Sequence, residues 1–540
     1  MDRPLRALTY LCAVALSAGA WAQSAGTGFR LWGPLGGTDT YLVDDTGTIV
    51  HTWPSQFLPG ASCYLQPDGL LLRSTKVGSQ LGPLGDGGGL QRVELDGTVV
   101  WDYRYSRLSA ISHHDVALMP NGNVLMIAWE ARGRADAIGN GRDPAITPDL
   151  IFWPDHIIEV QQTGPTTGRI VWQWHVFDHL IQDFDPARAN YGVVADNPQL
   201  IDINHPYEIP DSGDFNHMNS IDYDPVHDWI VVSAREQDEF WIIDHSTSTL
   251  EAAGHTGGRH GKGGDLIYRW GNPEAYGRGT PADRQLFAQH GPVFIPEGYP
   301  GAGNILVFSN QSPGGSHVLE VALPLDANGD FIEPPAGVPY GPAAPVWSYT
   351  NPFLNSANIS NAVRLPNGNT LICSGAQGWM FEISPSQQLV WQFVTNLQNA
   401  FHVHYYDHHL WVDERSISVT LGGSAQFDLK AGSRFAGRPF LLLGSLTGTG
   451  PGIDIGGPRL LPLEYDGYLV FTVSTPNQFP LAYTSPTLDA SGNASVSFSL
   501  PPGLASFLIG LRIHHAAVVF GAGGAGVELV SNPVTIELKL

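Results

Sequence analysis

The chain has almost no cysteine: three in 540 residues, and Cys12 sits in a leader that processing would remove. Cys63 and Cys373 remain, far apart in sequence, and read as two buried thiols in place of a disulfide framework. Charge is sparse at 14%, and acidic residues outnumber basic ones by 51 to 27. The formal net charge of −24 argues against nucleic acid or an anionic membrane surface as partner. An anionic substrate would meet an unfavourable overall field, so it needs a local cluster of His and Arg. After the leader no apolar run approaches the roughly 20 residues of a membrane span, and no stretch keeps a helical period.

What the composition supplies instead is 63 Gly, 41 Pro and 15 Trp, which suit many short strands joined by tight turns. At the N-terminus, Arg3 and Arg6 precede an apolar stretch over residues 8–20 that ends in Ala20-Trp21-Ala22. Residues 1–22 therefore read as a secretory signal cleaved after about Ala22, predicting a periplasmic or secreted protein.

One unit recurs along the chain. An aromatic-ended strand appears as TIVHTW (48–53), TVVWDY (98–103), RIVWQW (169–174), DLIYRW (265–270), PVWSY (345–349) and LVWQF (389–393). Each is followed by a hairpin pattern, as in DVALMPNGNVLMIA from Asp115 or NAVRLPNGNTLICS from Asn361. The last copy, FHVHYYDHHLWV from Phe401, lacks the turn, as a sheet completed by a strand from elsewhere would. The fold class predicted is all-β: a six-bladed β-propeller over residues 28–415, with radial repetition protecting the sheet edges. From residue 416 the Trp signature stops and short strands continue, predicting a small C-terminal β-sandwich over 416–540 with no catalytic constellation.

Aligning the repeats on the turn proline puts His114 six residues before Pro120 and His290 six before Pro296. The same position before Pro225 is Asn219, with His217 two residues earlier, while Ala61 and Ser360 occupy it in two other repeats. Successive repeats thus aim imidazoles at one side of a channel, and Arg235, at the far end of the hairpin strand that follows His217, adds a fixed cation. A paired glycosidase carboxylate set and a G-x-S-x-G elbow are both missing. Imidazoles with a guanidinium suit sulfuryl transfer: its transition state, like that of phosphoryl transfer, carries negative charge on equatorial oxygens. One imidazole can attack sulfur and another can protonate the departing phenolate. Two rival readings stay open: a His-ligated zinc site and a non-catalytic ligand-binding or scaffold propeller.

The segments HHDVALMPNGNVL (from His113), HMNSIDYDPVHDWIVVSAR (from His217), GDLIYRWGNP (from Gly264) and AQHGPVFIPEGYPGAGNILVFSN (from Ala288) resemble the arylsulfate sulfotransferase family over residues 30–412. The resemblance implies transfer of sulfate from a phenolic ester to a phenol acceptor without a nucleotide donor, and calls for no cofactor or metal. It implies that His290 becomes transiently sulfated, that His217 and Arg235 hold the sulfuryl oxygens, and that the His113–His114 pair supplies a further channel histidine, His114 being favoured on register. His113, Asn219 and His404 are expected as substrate contacts. The chain departs from better-known members in lacking their N-terminal β-domain and a cysteine pair before the nucleophile, so the oligomeric state is left open.

Overall fold

Residues 25–78, 85–148, 151–206, 213–397, 399–456, 459–483, 485–524 and 526–540 are described by a computed structural model. The leader read at residues 1–22 lies outside the described residues. Among those described, six four-stranded antiparallel sheets follow one another between Phe29 and Tyr406. Each aromatic-ended segment is the last strand of its sheet, and each hairpin pattern supplies the first two strands of the next. The heading strands Pro59–Leu65, Ala110–Leu118, Met218–Asp224, His290–Phe294, Asn361–Arg364 and Ala400–Tyr406 touch one another in that order, and the last touches the first. They form a closed ring, with the later strands of each sheet extending outward.

Closure is achieved by the two ends of this region. Ala400–Tyr406 heads a sheet whose other strands are Phe29–Pro34, Thr40–Val43 and Ile49–Trp53, so the turnless last repeat pairs with the earliest described strand. Arg30 and Glu382, with no exposed side-chain surface, form an ion pair of 2.5 Å across the adjoining seam.

The repeated tryptophans have a common task. The indole N–H of Trp53 donates to Glu94 O at 3.0 Å, Trp101 to Thr167 O at 3.1 Å, Trp174 to Gly264 O at 2.6 Å and Trp270 to Pro342 O at 2.8 Å. Each acceptor lies in the loop entering the last strand of the next sheet, so these four indoles latch neighbouring sheets while burying their ring area.

His245 makes a second kind of link, between the third and fourth sheets. Its Nδ1 lies 2.7 Å from Asp228 and its Nε2 3.2 Å from Glu159. Burial works against its charge, yet the hydrogen bonds to both carboxylates raise it to about 9. A raised histidine stabilises fully below the unfolded value of about 6.5 and loses that contribution as pH rises through about 9. His245→Gln should therefore lower stability by on the order of 2 kcal/mol at pH 6 and by much less at pH 9.5. Denaturant midpoints of parent and variant at both pH values check this; a pH-independent difference would count against it.

Beyond Tyr406 a second set of sheets begins at Leu410–Val412, which pairs with Gly423–Lys430, ahead of residue 416, where loss of the Trp signature placed the change. Trp411 explains the difference: it packs into the cluster of Phe29, Leu31 and Trp53 and so belongs to the seam between the two parts. Two sheets here, one containing Phe427 and Phe498 and the other Leu442 and Val519, share one apolar cluster. Ser433 and Arg434 tie this part to Asp44 and Asp45. Cys63 and Cys373 are buried and unpaired. No helix among the described residues is long and apolar enough to cross a membrane.

Candidate functional site

The heads of the inner strands are irregular. Pairing slips between Ser112 and Val116, Met218 and Ser220, and His290 and Val293, the kind of bulge that re-aims side chains next to functional sites. His114 and His217 adopt φ of 49° and 47°, a left-handed conformation that costs a non-glycine residue about 1–2 kcal/mol. The result is that His114, His217 and His290 share the wall of one cavity of about 820 Å³ with Arg235. Leu35, Leu58, Ala61, Ile359 and Phe401 form an apolar part of the same wall.

Each imidazole is held by a different partner. His217 places Nδ1 2.5 Å from Asp214 Oδ2, and the other Asp214 oxygen accepts from Trp129 Nε1 at 3.0 Å. That leaves Nε2 of His217 for the cavity. Arg235 pairs with Glu236, and both line the cavity. His114 packs so closely against Gly85 that a Cβ there would fall 2.2 Å from its ring. Burial, with His217, His113, His290 and Arg235 nearby, holds His114 well below the usual imidazole range.

His290 has a fixed tautomer. Asn310 donates both amide hydrogens to backbone carbonyls, Ser356 O at 2.8 Å and Ile359 O at 2.7 Å, so its Oδ1 must accept from His290 Nδ1 at 2.8 Å. With the proton on Nδ1, Nε2 carries the lone pair, and it accepts from Ile359 N–H at 3.1 Å. Burial and then Arg235 lower His290 to about 3, so the free base persists throughout the neutral range.

The three residues expected as substrate contacts lie elsewhere. His113 stacks on Trp129 at 3.7 Å and bonds His114 and Asp155. Asn219 is fully buried and donates to Gln289 O at 2.9 Å, supporting the backbone beside His290. His404 packs on Tyr64 at 4.4 Å. None of the three lines the cavity, because the bulges turn side chains one or two positions away from the register that a regular strand would keep.

Sequence reasoning missed Asp155, Asp214, Trp129 and Asn310. Asn310 had a signal: it follows Ile305–Ser309 just as Arg235 follows Trp229–Ala234, one sheet further on. Asp214, three residues before His217, had a weaker one, while nothing local marked Asp155.

Among the described residues, His179, His255 and Asp265 bring three metal-ligating atoms together, away from the cavity. Both Nδ1 atoms lie 2.9 and 2.7 Å from one Asp265 oxygen. Ligands of a tetrahedral metal at about 2.0–2.1 Å keep roughly 3.3 Å apart, so these separations are those of hydrogen bonds.

A virginiamycin B lyase from Staphylococcus aureus resembles this chain at 10% identity and a TM-score of 0.32, over 68% of this chain and 85% of that one. A putative 6-phosphogluconolactonase from Bacteroides uniformis does so at 10% identity and 0.35, over 71% and 100%. No curated protein matches. A family model, Arylsulfotransferase (ASST), matches residues 38–406. That span takes in the cavity's imidazoles, Arg235 and every inner strand, and the chain belongs to the arylsulfotransferase family.

Proposed function

We propose that this protein is an arylsulfate sulfotransferase that passes a sulfuryl group from a phenolic sulfate ester to a phenol through a sulfohistidine at His290, with no nucleotide donor. The observation that carries the reading is the mixed cavity wall: three imidazoles and a guanidinium beside an apolar surface, including Ile359 and Phe401, suited to an aromatic ring. Family membership supports the same activity.

In the first half-reaction His290 Nε2 exchanges the Ile359 N–H for sulfur. The N–S bond forms as the S–O bond to the aryl group breaks, and His114 Nε2 gives the leaving oxygen a proton. Arg235 and His217 meet the negative charge on the sulfuryl oxygens, and the released Ile359 amide adds a backbone donor. In the second half-reaction an acceptor phenol yields its proton to His114 and its oxygen attacks sulfur, restoring His290.

The sheet order and the ring of inner strands support a six-bladed β-propeller up to about residue 409, and the shared cluster of the later sheets supports a β-sandwich from Leu410 onward. The leader pattern in residues 1–22 supports a periplasmic or secreted location. The test is release of phenol from a chromogenic aryl sulfate, with and without a second phenol. Acceptor-dependent release is expected, and no release across several donors from folded protein would overturn the reading.

A further inference from the structure

Transfer in two halves makes opposite demands on His114: it must give a proton to the first phenolate and take one from the second phenol. Both nitrogens of a buried neutral imidazole are needed for that, and its second nitrogen, Nδ1, does not face solvent. It lies 2.8 Å from Nδ1 of His113. The other His113 nitrogen, Nε2, lies 2.8 Å from Asp155 Oδ1. His113 is pinned by face-to-face stacking on Trp129, with ring planes 5° apart, and Asp155 Oδ2 accepts from Met218 N–H at 2.8 Å. Asp155 and the His113 side chain have no exposed surface. Three groups therefore stand in one line that starts at a buried carboxyl and ends at the cavity.

We infer that Asp155 is the proton store of the reaction: a positioning residue that acts through His113 to reset His114 between proton donor and proton acceptor. This rests on the sulfuryl-transfer reading. The line has two settings. In one, Asp155 is protonated and donates to His113 Nε2, His113 Nδ1–H donates to His114 Nδ1, and His114 Nε2–H faces the cavity. When that last proton passes to the departing phenolate, His113 Nδ1–H moves to His114 Nδ1 and the Asp155 proton moves to His113 Nε2. The second setting results: carboxylate at Asp155, His113 Nε2–H donating to it, His114 Nδ1–H donating to His113, and a bare lone pair on His114 Nε2. Attack by the acceptor phenol runs the same shifts backward. Each half moves one proton along the line, so the phenol gained in one half is matched by the carboxylate formed, and neither imidazole is charged at either end.

The surroundings favour this division. Burial, then His217 and His156, hold His113 well below the usual imidazole range. His114 is held there by burial and by His217, His113, His290 and Arg235. Burial, with Asp214 and Glu130 facing it, pushes Asp155 well above the usual carboxylate range despite the Met218 amide. The imidazoles resist charge and the carboxyl accepts a proton, the order a store at the inner end requires.

The test is Asp155→Asn, which keeps the shape but holds no transferable proton, assayed on 4-nitrophenyl sulfate and on unsubstituted phenyl sulfate. The nitrophenolate leaves without acid help and the phenolate does not, so the loss for the phenyl ester should exceed that for the nitrophenyl ester by about a hundredfold. His113→Gln cuts the line one link on and should show the same leaving-group dependence, which serves if Asp155→Asn does not fold. Equal losses for both donors, or none, in a parent that turns over would overturn the relay alone. A parent inert toward every donor would overturn the sulfuryl-transfer reading and the relay with it.

Discussion

His290→Ala should release phenol from aryl sulfates more slowly than the parent by on the order of 10⁴–10⁶, the scale of losing an enzyme nucleophile. The variant should stay folded, because His290 fills a cavity wall and its removal leaves Asn310 still bonded to Ser356 and Ile359. Mass spectrometry of the parent, quenched with donor but no acceptor, should find one SO₃ group on the peptide containing residues 288–294, and the variant should carry none. The pH dependence follows from the same environment. Because His290 is lowered to about 3, sulfohistidine formation should gain no acid limb from this residue between pH 8 and 5. A limb centred near 6.5 that disappeared with the nucleophile would contradict the assignment.

Glu382→Ala should cost about 3–5 kcal/mol, the cost of stripping one partner from a buried ion pair, and lower the thermal midpoint by roughly 5–10 °C. Arg30 sends its guanidinium to Gly28 O at 2.7 Å, Gly26 O at 3.0 Å and Glu382 at 2.5 Å. Glu382 also accepts from Gly26 N–H at 2.7 Å and Asn369 Nδ2 at 2.6 Å. Removing the carboxylate strands a buried cation and a buried amide together. Arg30→Met combined with Glu382→Leu should recover much of the loss, since no lone charge remains. A loss of under about 1 kcal/mol in the single variant, the value of an exposed pair, would show that the seam is wetter than its burial indicates.

The repeat was legible because tryptophan at a strand end is rare and its spacing follows the sheets; the hairpin turns then gave the first strands. Positions of the channel imidazoles were legible because heading strands start at the ring. What the sequence could not carry is the side-chain direction after a bulge. The two-residue slip between Ser112 and Val116 and the one-residue slip between Met218 and Ser220 decide whether His113 and Asn219 face the cavity or the wall, and no residue type announces them. Asp155 was invisible for a different reason: it starts the third strand of its sheet, far along the chain from the two histidines it serves.

The four indole latches join the first five sheets in sequence, each to its neighbour only, so this run of the ring resembles an arch whose stones bear on one another. Trp391 makes no such bond; the Arg30 guanidinium covers its ring at 4.5 Å instead. The keystone is therefore cut from other material than the four latched seams. It is also the first piece made, since Phe29–Pro34 leaves the ribosome long before Ala400–Tyr406, to which it must pair. During synthesis every other sheet can settle against its neighbour while this strand waits, and only the end of the repeats gives it a place.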